Sequence, residues 1–394
     1  MQAFSISGIL LTVLIVSSLS LSEAWSIDLD VSCNTPGTWV IPDDPDLFPV
    51  KHSSVISSTE DMDFILLGEQ HDSAPHHRWQ TQMLSALLSH KDHIAIGLEM
   101  LPRASQPTLD AWVNGELTLK EFLSQSNWYD LWRFDVELYA PILNFARDNQ
   151  VPLYALNISR ELISEVSTNG WHANSAKTDR GISEPAPASS RYRAALTDVF
   201  HQHEGSDEKQ LDYFIEAQLT WDRAFAERLV KAKKDTSRVV VGILGSGHLT
   251  YGYGVEHQLN SIDDFNILTW IPTAAGEPCT SLDLTDQDGN LIADAIFITP
   301  KISMESKKHK LGIFLIDSDN GIVVGDVLVN SIAAQSGLQT NDIIVEVAGQ
   351  AVSTSAELIA LIQNQAAGYW LPIRIKRNDQ PLDLIAKIPL IVIK

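Results

Sequence analysis

The chain has 394 residues, of which 44% are hydrophobic and 8% aromatic, a composition typical of globular proteins. This length exceeds one average domain and predicts two folded units. The formal net charge of −22, from 28 basic and 50 acidic residues, excludes a nucleic-acid binder that follows phosphates and a protein that docks on an anionic membrane. An anionic ligand would therefore need a local positive site.

Residues 1–24 have the pattern of a secretory signal peptide. An apolar centre at residues 9–16 is followed by small residues, with Ser22 and Ala24 at the −3 and −1 positions of a cleavage site. The apolar run is shorter than the ~20 residues of a membrane-spanning helix. Because no Lys or Arg precedes it, an uncleaved anchor stays open as the alternative. We expect an exported protein of the periplasm or cell envelope.

The two cysteines, Cys33 and Cys279, flank nearly all of the first predicted unit. An exported chain can keep a disulfide, so we predict that they pair. Two unpaired thiols are the alternative. Lipid attachment at Cys33 is disfavoured because Asp28 and Asp30 separate it from the apolar run.

From residue 64 onward, short apolar runs alternate with longer amphipathic stretches. Short runs that are apolar on both faces are typical of buried parallel strands. The predicted strands are residues 64–67, 94–100, 151–157 and 239–244. The predicted helices are residues 75–90, 136–149, 160–166 and 211–230. This alternation predicts an α/β domain over residues 25–275, with a mainly parallel sheet flanked by helices.

Two segments lack such periodicity. Residues 171–190 are rich in Ser, Ala and Pro, which predicts a mobile loop or lid. Residues 276–300 are predicted to link the first unit to the second.

Polar side chains follow the predicted strands, where open α/β sheets bind their ligands. These side chains are Glu69, His71, Glu99, Asn157, Arg160 and His248. His71 and His248 each end a Gly-x-x-His turn. We predict that Glu69, His71, Glu99 and His248 line one cleft. For Glu99, a structural role as a helix cap or an ion-pair partner is the alternative.

His76 and His77 follow Pro75 in the first turn of a predicted helix. There they would line the rim of the cleft and offer a positive helix end to an anionic group. Simple packing beside Trp79 is the alternative for His76.

Two further groups of polar residues occur later in the first unit. Asp222 could face the same cleft, whereas Trp221 is expected to pack in the core. The cluster of His201, His203 and Glu204 precedes a glycine in a hydrophilic stretch, which indicates a solvated surface.

The region 301–394 alternates β-type runs with glycine-containing turns. Residues 355–365 are predicted to be helical and residues 372–388 to form a hairpin. Three segments resemble, in order, parts of a PDZ domain. Residues 310–314 resemble its carboxylate-binding loop, residues 333–338 the segment before its first helix, and residues 341–344 the next strand. The resemblance implies that Leu311, Gly312, Ile313 and Phe314 capture a peptide C terminus that adds to a sheet edge. A packing or dimerisation module is the alternative.

Four motifs occur in order in the first unit: Gly68-Glu69-Gln70-His71-Asp72, Gly97-Leu98-Glu99-Met100, Ala217-Gln218-Leu219-Thr220-Trp221-Asp222 and Gly245-Ser246-Gly247-His248-Leu249. They resemble the ChaN-type haem-binding family of the Tiki superfamily over about residues 33–271. The resemblance implies an exported, iron-regulated protein that binds haem as a homodimer with two haems stacked face to face. Other members of the superfamily are metal-dependent proteases or hydrolases of erythromycin-type esters.

Two chemistries compete for the predicted cleft. A haem site needs an axial ligand, apolar walls and groups that bind propionates. The candidate haem contacts are His71, His76, His77, Arg160, His248, Tyr251 and Tyr253, with Tyr154, Trp128 and Trp132 as further aromatic candidates. A hydrolase would use a divalent metal or a general base at Glu69, His71, Glu99 and His248. The sequence assigns no axial ligand and contains no His-Glu-x-x-His helix.

We therefore predict an exported haem-binding protein of iron uptake or haem handling, whose PDZ domain contacts C-terminal peptides or envelope proteins. A metal-dependent hydrolase or protease is the alternative. A periplasmic adaptor that works through its PDZ groove is the third possibility.

Overall fold

The structure is a computed structural model of the chain. It describes residues 35–44, 49–173, 181–202, 208–276, 284–301, 310–318, 321–363, 365 and 368–389. The signal peptide, the cysteine pair, His203 and Glu204 lie outside the described residues, so the inferences on them stay predictions. His201 is exposed near the end of a helix, as a surface position would be. Among the described residues, no helix is both long and apolar enough to cross a membrane.

The N-terminal unit is built on a seven-stranded sheet. Its strands are β1 (Trp39–Val40), β2 (Phe64–Glu69), β3 (Ile94–Pro102), β4 (Leu153–Asn157), β5 (Val239–Gly245), β6 (Ile267–Ala274) and β7 (Ala295–Thr299). They lie in the order β1-β7-β6-β2-β5-β3-β4, and each neighbouring pair is parallel except β1 with β7. The predicted, mainly parallel sheet is confirmed, and the four predicted strands are neighbours in it.

Helices cover both faces of this sheet. They are α1 (His52–Ser57), α2 (Ala74–Lys91), α3 (Gln106–Val113), α4 (Leu119–Gln125), α5 (Trp128–Leu131), α6 (Val136–Asp148), α7 (Arg160–Asn169), α8 (Ser190–Gln202), α9 (Glu208–Thr236) and α10 (Val255–Asn260). Alternate residues of β2 face opposite sides. Ile65 and Leu67 join a core with α2 and α6, whereas Phe64 and Leu66 join a core with α9 and α10. Both faces are apolar because both are covered.

Part of the expected linker at residues 276–300 belongs to the first sheet. β7 pairs in parallel with β6, and Trp39 of β1 pairs with Phe297 of β7. All five residues of β7 are buried. The short apolar run of β7 was missed because no amphipathic helix precedes it in the sequence. The other domain boundaries stay predictions.

The C-terminal unit is a second, antiparallel sheet. Its strands are β8 (Ile313–Ser318), β9 (Gly321–Val327), β10 (Ile343–Val347), β11 (Gln350–Ala351), β12 (Trp370–Arg377) and β13 (Gln380–Lys387), with helices α11 (Ile332–Ser336) and α12 (Ser355–Gln363). The strand order is β13-β12-β10-β9-β8, with β11 paired to β10. The predicted small β-rich domain and its closing hairpin of β12 and β13 are confirmed. β8 lies at one edge of this sheet.

Helix α12 is apolar on two sides and packs between the two units. Leu358 and Ile362 are buried in the core of the second sheet. Ala356, with Ile359 and Ala360 beside it, packs into the core of the first unit, where α12 contacts α4 and α5. A polar contact joins the hydroxyl of Tyr129 on α5 to Gln363 Oε1 over 3.4 Å. The two units therefore share a packed interface.

Candidate functional site

Neighbouring strands bring several predicted polar residues to one edge of the first sheet. β5 lies between β2 and β3, and all three strands are parallel. Their carboxyl ends therefore lie side by side and carry Glu69, Glu99 and the helical turn Ser246–His248. His71 follows directly after β2. The structure thus brings His71, Glu99 and His248 together although they are distant in the sequence.

His71 and Glu69 form a hydrogen-bonded pair. Nδ1 of His71 donates to Glu69 Oε1 over 2.8 Å. The hydroxyl of Tyr139 donates to the same oxygen over 2.6 Å, and Gln80 Nε2 donates to Oε2 over 3.0 Å. The side chain of Glu69 has no exposed surface. A buried carboxylate needs such donors, and in return it orients the imidazole of His71.

A second pair of the same kind lies on the other side of the site. Nδ1 of His248 donates to Asp222 Oδ1 over 2.6 Å, and the hydroxyl of Tyr192 donates to Oδ2 over 2.8 Å. Asp222, on α9, is fully buried. Each histidine is therefore held through Nδ1 by a buried carboxylate that also accepts a tyrosine hydroxyl.

Glu99 lies between the two histidines. Its Oε1 atom is 3.8 Å from Nε2 of His71 and 4.0 Å from Nε2 of His248. Its Oε2 atom accepts a hydrogen bond from the backbone N–H of Gly245 over 2.6 Å. Glu99 thus faces both imidazoles from the centre of the site and is an ion-pair partner of each one that is protonated.

Burial, hydrogen bonds and nearby charges shift the pKa values of Glu69, His71 and His248. Burial by itself raises the pKa of Glu69, but hydrogen bonds from His71, His77 and Tyr139 outweigh it and hold that pKa well below its usual value. Burial lowers the pKa of His248, but the charge of Asp222 and its hydrogen bond raise that pKa to about 9. The pKa of His71 is raised too, because the hydrogen bond to Glu69 and the charge of Glu99 outweigh burial.

A cleft of about 620 Å³ opens over these residues. Its polar lining consists of His71, Glu99, Asn157, Arg160, Ser164, Ser167, Gln218 and His248. Its apolar lining consists of Met100, Pro102, Leu131, Trp132, Ile158, Ile163 and Trp221. The ring centroid of Trp132 lies 4.7 Å from that of His71. The cleft therefore combines apolar walls with two oriented imidazoles and one guanidinium.

His76 and His77 lie behind the site, not at its rim as expected. They are only 4% and 1% exposed, because α2 begins beneath the strand ends. Nδ1 of His76 accepts the backbone N–H of Gln70 over 2.9 Å, and Nε2 of His77 donates to the carbonyl of His71 over 3.1 Å. Burial lowers the pKa of His76 to about 4. Both histidines brace the loop that carries His71.

The aromatic candidates divide between the cleft and other places. Tyr251 and Tyr253 lie in the turn after β5 with ring centroids 5.3 Å apart and ring planes tilted by 31°. They do not line the cleft formed by the described residues, and the hydroxyl of Tyr253 donates to Asp286. Trp128 is fully buried in the core, and Tyr154 packs at the edge of the core on the α9 side. Trp132 lines the cleft.

Trp221 packs against the core, as expected, and also lines the cleft. Asp222 does not face the cleft but is buried behind His248. Glu69 likewise lies beneath the cleft and reaches it only through His71. Whether a side chain lines the cleft or lies beneath it depends on the face of the helix or strand on which it stands, and residue type alone does not specify that face.

Sequence reasoning missed Tyr139, Tyr192 and Gln80. Tyr139 contacts a carboxylate 70 positions away in the chain, and Tyr192 contacts one 30 positions away. No local pattern marks such contacts. Of the three, Gln80 could most easily have been predicted, because it lies on the buried side of the predicted α2 helix, one turn from His76 and His77.

A metal site would need several ligand side chains that surround one point. Within the ranges that the structure describes, no group of three or more His, Cys, Asp or Glu side chains is placed to hold a metal ion. Carboxylates nevertheless orient His71 and His248 in the way that they orient metal-ligating histidines.

The predicted peptide loop begins at Leu311, which is 2% exposed. Gly312 has a φ of +80°, and a Cβ there would lie 2.4 Å from Cβ of Ser331, so only glycine fits. The carbonyls of Leu311 and Gly312 accept backbone N–H groups from Ala333 and Leu328. The loop is therefore anchored to the domain through its carbonyl groups at the start of the edge strand β8.

Comparison with known proteins matches both units. A family model described as haem-binding uptake, Tiki superfamily, ChaN matches residues 55–259, just over half of the chain, and a PDZ domain model matches residues 309–388. A structure of cofacial heme binding to ChaN of Campylobacter jejuni is 22% identical with a TM-score of 0.50, covering 68% of this chain and 98% of that chain, and shows the same fold. The HtrA3 PDZ domain bound to a phage-derived ligand is 27% identical with a TM-score of 0.19, covering 21% of this chain and 86% of that chain. The curated proteins give no match.

Proposed function

This chain belongs to the haem-binding uptake family of the Tiki superfamily, ChaN, and on that premise we propose that the cleft at the strand ends binds haem. The observation that carries the proposal is that apolar walls, two oriented imidazoles and Arg160 share one cleft of about 620 Å³. This volume lies within the range of about 300–1,000 Å³ that is usual for cofactor sites.

The residues of the cleft fit the chemistry of haem. Leu131, Trp132 and Trp221 offer apolar surface for a porphyrin. Arg160 offers a cation for a propionate; one of its N–H groups donates to the carbonyl of Leu131 over 2.6 Å, and a guanidinium has five such donors. In a chain of net charge −22, this cation supplies the local positive site that an anionic ligand needs.

When bound, haem would supply an iron that a side chain of the cleft would coordinate. His71 and His248 are the candidates that the cleft presents, because the Nδ1 atom of each is held by a carboxylate. Such a hydrogen bond fixes the ring orientation and raises the basicity of the other nitrogen. Glu69 and Asp222 then act as positioning residues beneath the two histidines.

The proposal extends to the biological setting. We propose that the protein is exported and handles haem during iron uptake, as the description of its family and the sequence of residues 1–24 suggest. The ChaN structure from Campylobacter jejuni is described as cofacial heme binding. By analogy, two copies of this chain would bring their haems face to face, and hemin would then double the mass measured by light scattering.

We also propose that the PDZ domain captures the C termini of other proteins. The edge strand β8 and the glycine loop at Gly312 support this, because a peptide can add to a sheet edge while its carboxylate meets the loop. Haem is thus one partner, and C-terminal peptides of envelope proteins are another.

A hemin titration of the full chain, followed through the Soret absorbance, tests the haem proposal. Replacing His71 and His248 together by Ala should weaken hemin binding at least about tenfold, equivalent to about 1.4 kcal/mol. His90→Ala is the matched control, because His90 is exposed at the end of α2. Wild-type affinity in the double variant would exclude this cleft as the haem site.

Hydrolysis is the second candidate function. One observation favours it: Glu99 lies within 4.0 Å of two histidines that are both held by carboxylates, and such groups can move protons as a general acid and base. Turnover of ester or peptide substrates, together with metal analysis of the purified protein, tests it. Turnover that Glu99→Gln abolishes would favour the hydrolase, and its absence with tight hemin binding would exclude it.

A further inference from the structure

The edge strand β8 presents two rows of apolar side chains. Ile313 and Leu315 are half-buried and pack against the core of the second sheet. Phe314 and Ile316 alternate with them and are 59% and 56% exposed. Residues of a strand alternate between its faces, so the two pairs form an inner row and an outer row.

The inner row faces α12. Leu358, Leu361 and Ile362 of this helix are apolar and pack on the same core. The start of α12 is tied to β8, because the backbone N–H and the hydroxyl of Ser355 both donate to Asp317 Oδ1, over 2.8 and 2.7 Å. The side of β8 that faces α12 is therefore apolar, and the contacts between Ser355 and Asp317 hold the start of the helix to the strand.

The outer row is unusual for a strand whose outer face meets water. Such a face ordinarily carries polar residues, whereas here Phe314 and Ile316 expose most of their side chains. Ile316 lies over Gly325 of β9, where a Cβ would come 2.9 Å from Ile316 Cδ1, and it pairs with Val323. The outer row thus exposes two large apolar side chains, two positions apart, along the edge strand, and exposed apolar surface commonly serves binding.

A peptide strand added to β8 would place its side chains on the same two rows. With its carboxylate at the loop of Leu311 to Ile313, an antiparallel peptide sets its last residue opposite Ile313 and its penultimate residue opposite Phe314. The third residue from the end then faces Leu315, and the fourth faces Ile316. The last and third residues point toward α12, and the other two point toward the outer row.

We propose that the PDZ domain selects C-terminal peptides with a large apolar residue, aromatic best, at the penultimate position and a further apolar residue fourth from the end, read by Phe314 and Ile316. This specificity rests on the proposed capture of C termini. Aromatic pairs across neighbouring strands add to binding beyond the area they bury, so Phe314 is the stronger determinant.

Fluorescence polarisation with the full chain tests the proposal. The probes are two labelled decapeptides that end in Val and differ only at the penultimate residue, Trp or Ser. We expect the Trp peptide to bind the wild type about tenfold more tightly than the Ser peptide. Phe314→Ser should remove this difference, and it should not disturb folding because Phe314 is 59% exposed. Leu382→Ser, on the opposite edge strand β13 and 38% exposed, is the matched control and should keep the difference.

A third probe separates the two levels of the proposal. It is the Trp peptide with an amide in place of its C-terminal carboxylate, and it should bind far more weakly than the free acid. If the free acid and the amide bind equally, or neither binds, capture of C termini fails and the specificity fails with it. If binding needs the carboxylate but Trp and Ser peptides bind equally, or Phe314→Ser keeps the preference, only the specificity is overturned.

Discussion

Nδ1 of His248 lies 2.6 Å from Oδ1 of Asp222. Asp222 belongs to α9, is 26 positions earlier in the chain, and lies beneath the cleft. The carboxylate of Asp222 is fully buried and the ring of His248 is partly exposed. When His248 is protonated, the two side chains therefore form an ion pair beside the cleft. Its strength can be measured through the pH dependence of folding.

The free energy of unfolding should fall as the pH rises from about 6.5 to about 9. The pKa of His248 is 6.5 without perturbation and about 9 in the folded protein. A raised folded-state pKa gives stability that is fully present below pH 6.5 and is lost as the pH rises through 9. The loss from His248 is at most about 3 kcal/mol, and His71 acts in the same direction. Urea unfolding across this range, compared with Asp222→Asn, measures it; equal pH slopes in both proteins would refute the assignment.

Tyr139→Phe should destabilise the protein by about 1.5–3 kcal/mol, the usual cost of losing a hydrogen bond to a charged group. The variant removes a donor from Glu69 Oε1 in a site that solvent does not reach, since Tyr139 is 1% exposed. Tyr129→Phe is the matched control, because its hydroxyl contacts Gln363 over 3.4 Å and the backbone of Val136, and neither of these partners carries a charge. Urea unfolding measures both, and a Tyr139→Phe effect no larger than that of the control would contradict the role of the hydroxyl.

Gly245→Ala should weaken hemin binding about fivefold or more, equivalent to about 1 kcal/mol. A Cβ at this position would lie 2.9 Å from Cε1 and 3.2 Å from Nε2 of His71, so the imidazole must move. Gly247→Ala is the control in the same turn, because nothing lies within 4 Å of its Cβ. Soret titration of both variants decides the matter. Identical affinities would show that the position of the His71 ring is unimportant for haem.

Arg160→Ala should weaken hemin binding about tenfold, with Arg160→Lys between that variant and the wild type. The reason is loss of the cation that the cleft offers to a propionate. Arg191→Ala is the control, since Arg191 is bound to Asp288 outside the cleft lining. Raising the salt concentration should narrow the gap between wild type and Arg160→Ala. A gap that is absent at low salt would exclude Arg160 as a propionate contact.

Ala356→Glu should separate the two units. Ala356 is 6% exposed and packs from α12 into the core of the first unit, and burying a charge there costs several kcal/mol. Glutamate is a good helix former, so α12 itself should persist. Calorimetry should then show two unfolding transitions at different temperatures where the wild type shows coupled unfolding. Ala351→Glu, at an exposed position of β11, should behave as the wild type.

Much of the fold could be predicted because the central strands are apolar on both faces. Residues 64–67 and 239–244 can be buried only in a sheet that is covered twice, and this fact alone implies parallel strands and flanking helices. β7 escaped prediction, since its five buried residues carry no helix pattern before them. The loop at residues 310–314 was recognisable only through its resemblance to the carboxylate-binding loop of PDZ domains, and the structure gives its Gly312 a φ of +80°, which favours glycine.

The sequence by itself determined which chemistry is available: two Gly-x-x-His turns, carboxylates at strand ends and a PDZ-type loop. Only the tertiary structure decided how these groups are arranged. It placed Glu69 beneath His71, buried Asp222 behind His248, and placed His76 and His77 behind the site. The physical reason is that strand order and helix rotation, which set side-chain direction, depend on contacts between residues far apart in the chain. Tyr139 and Glu69, 70 positions apart, are such a contact.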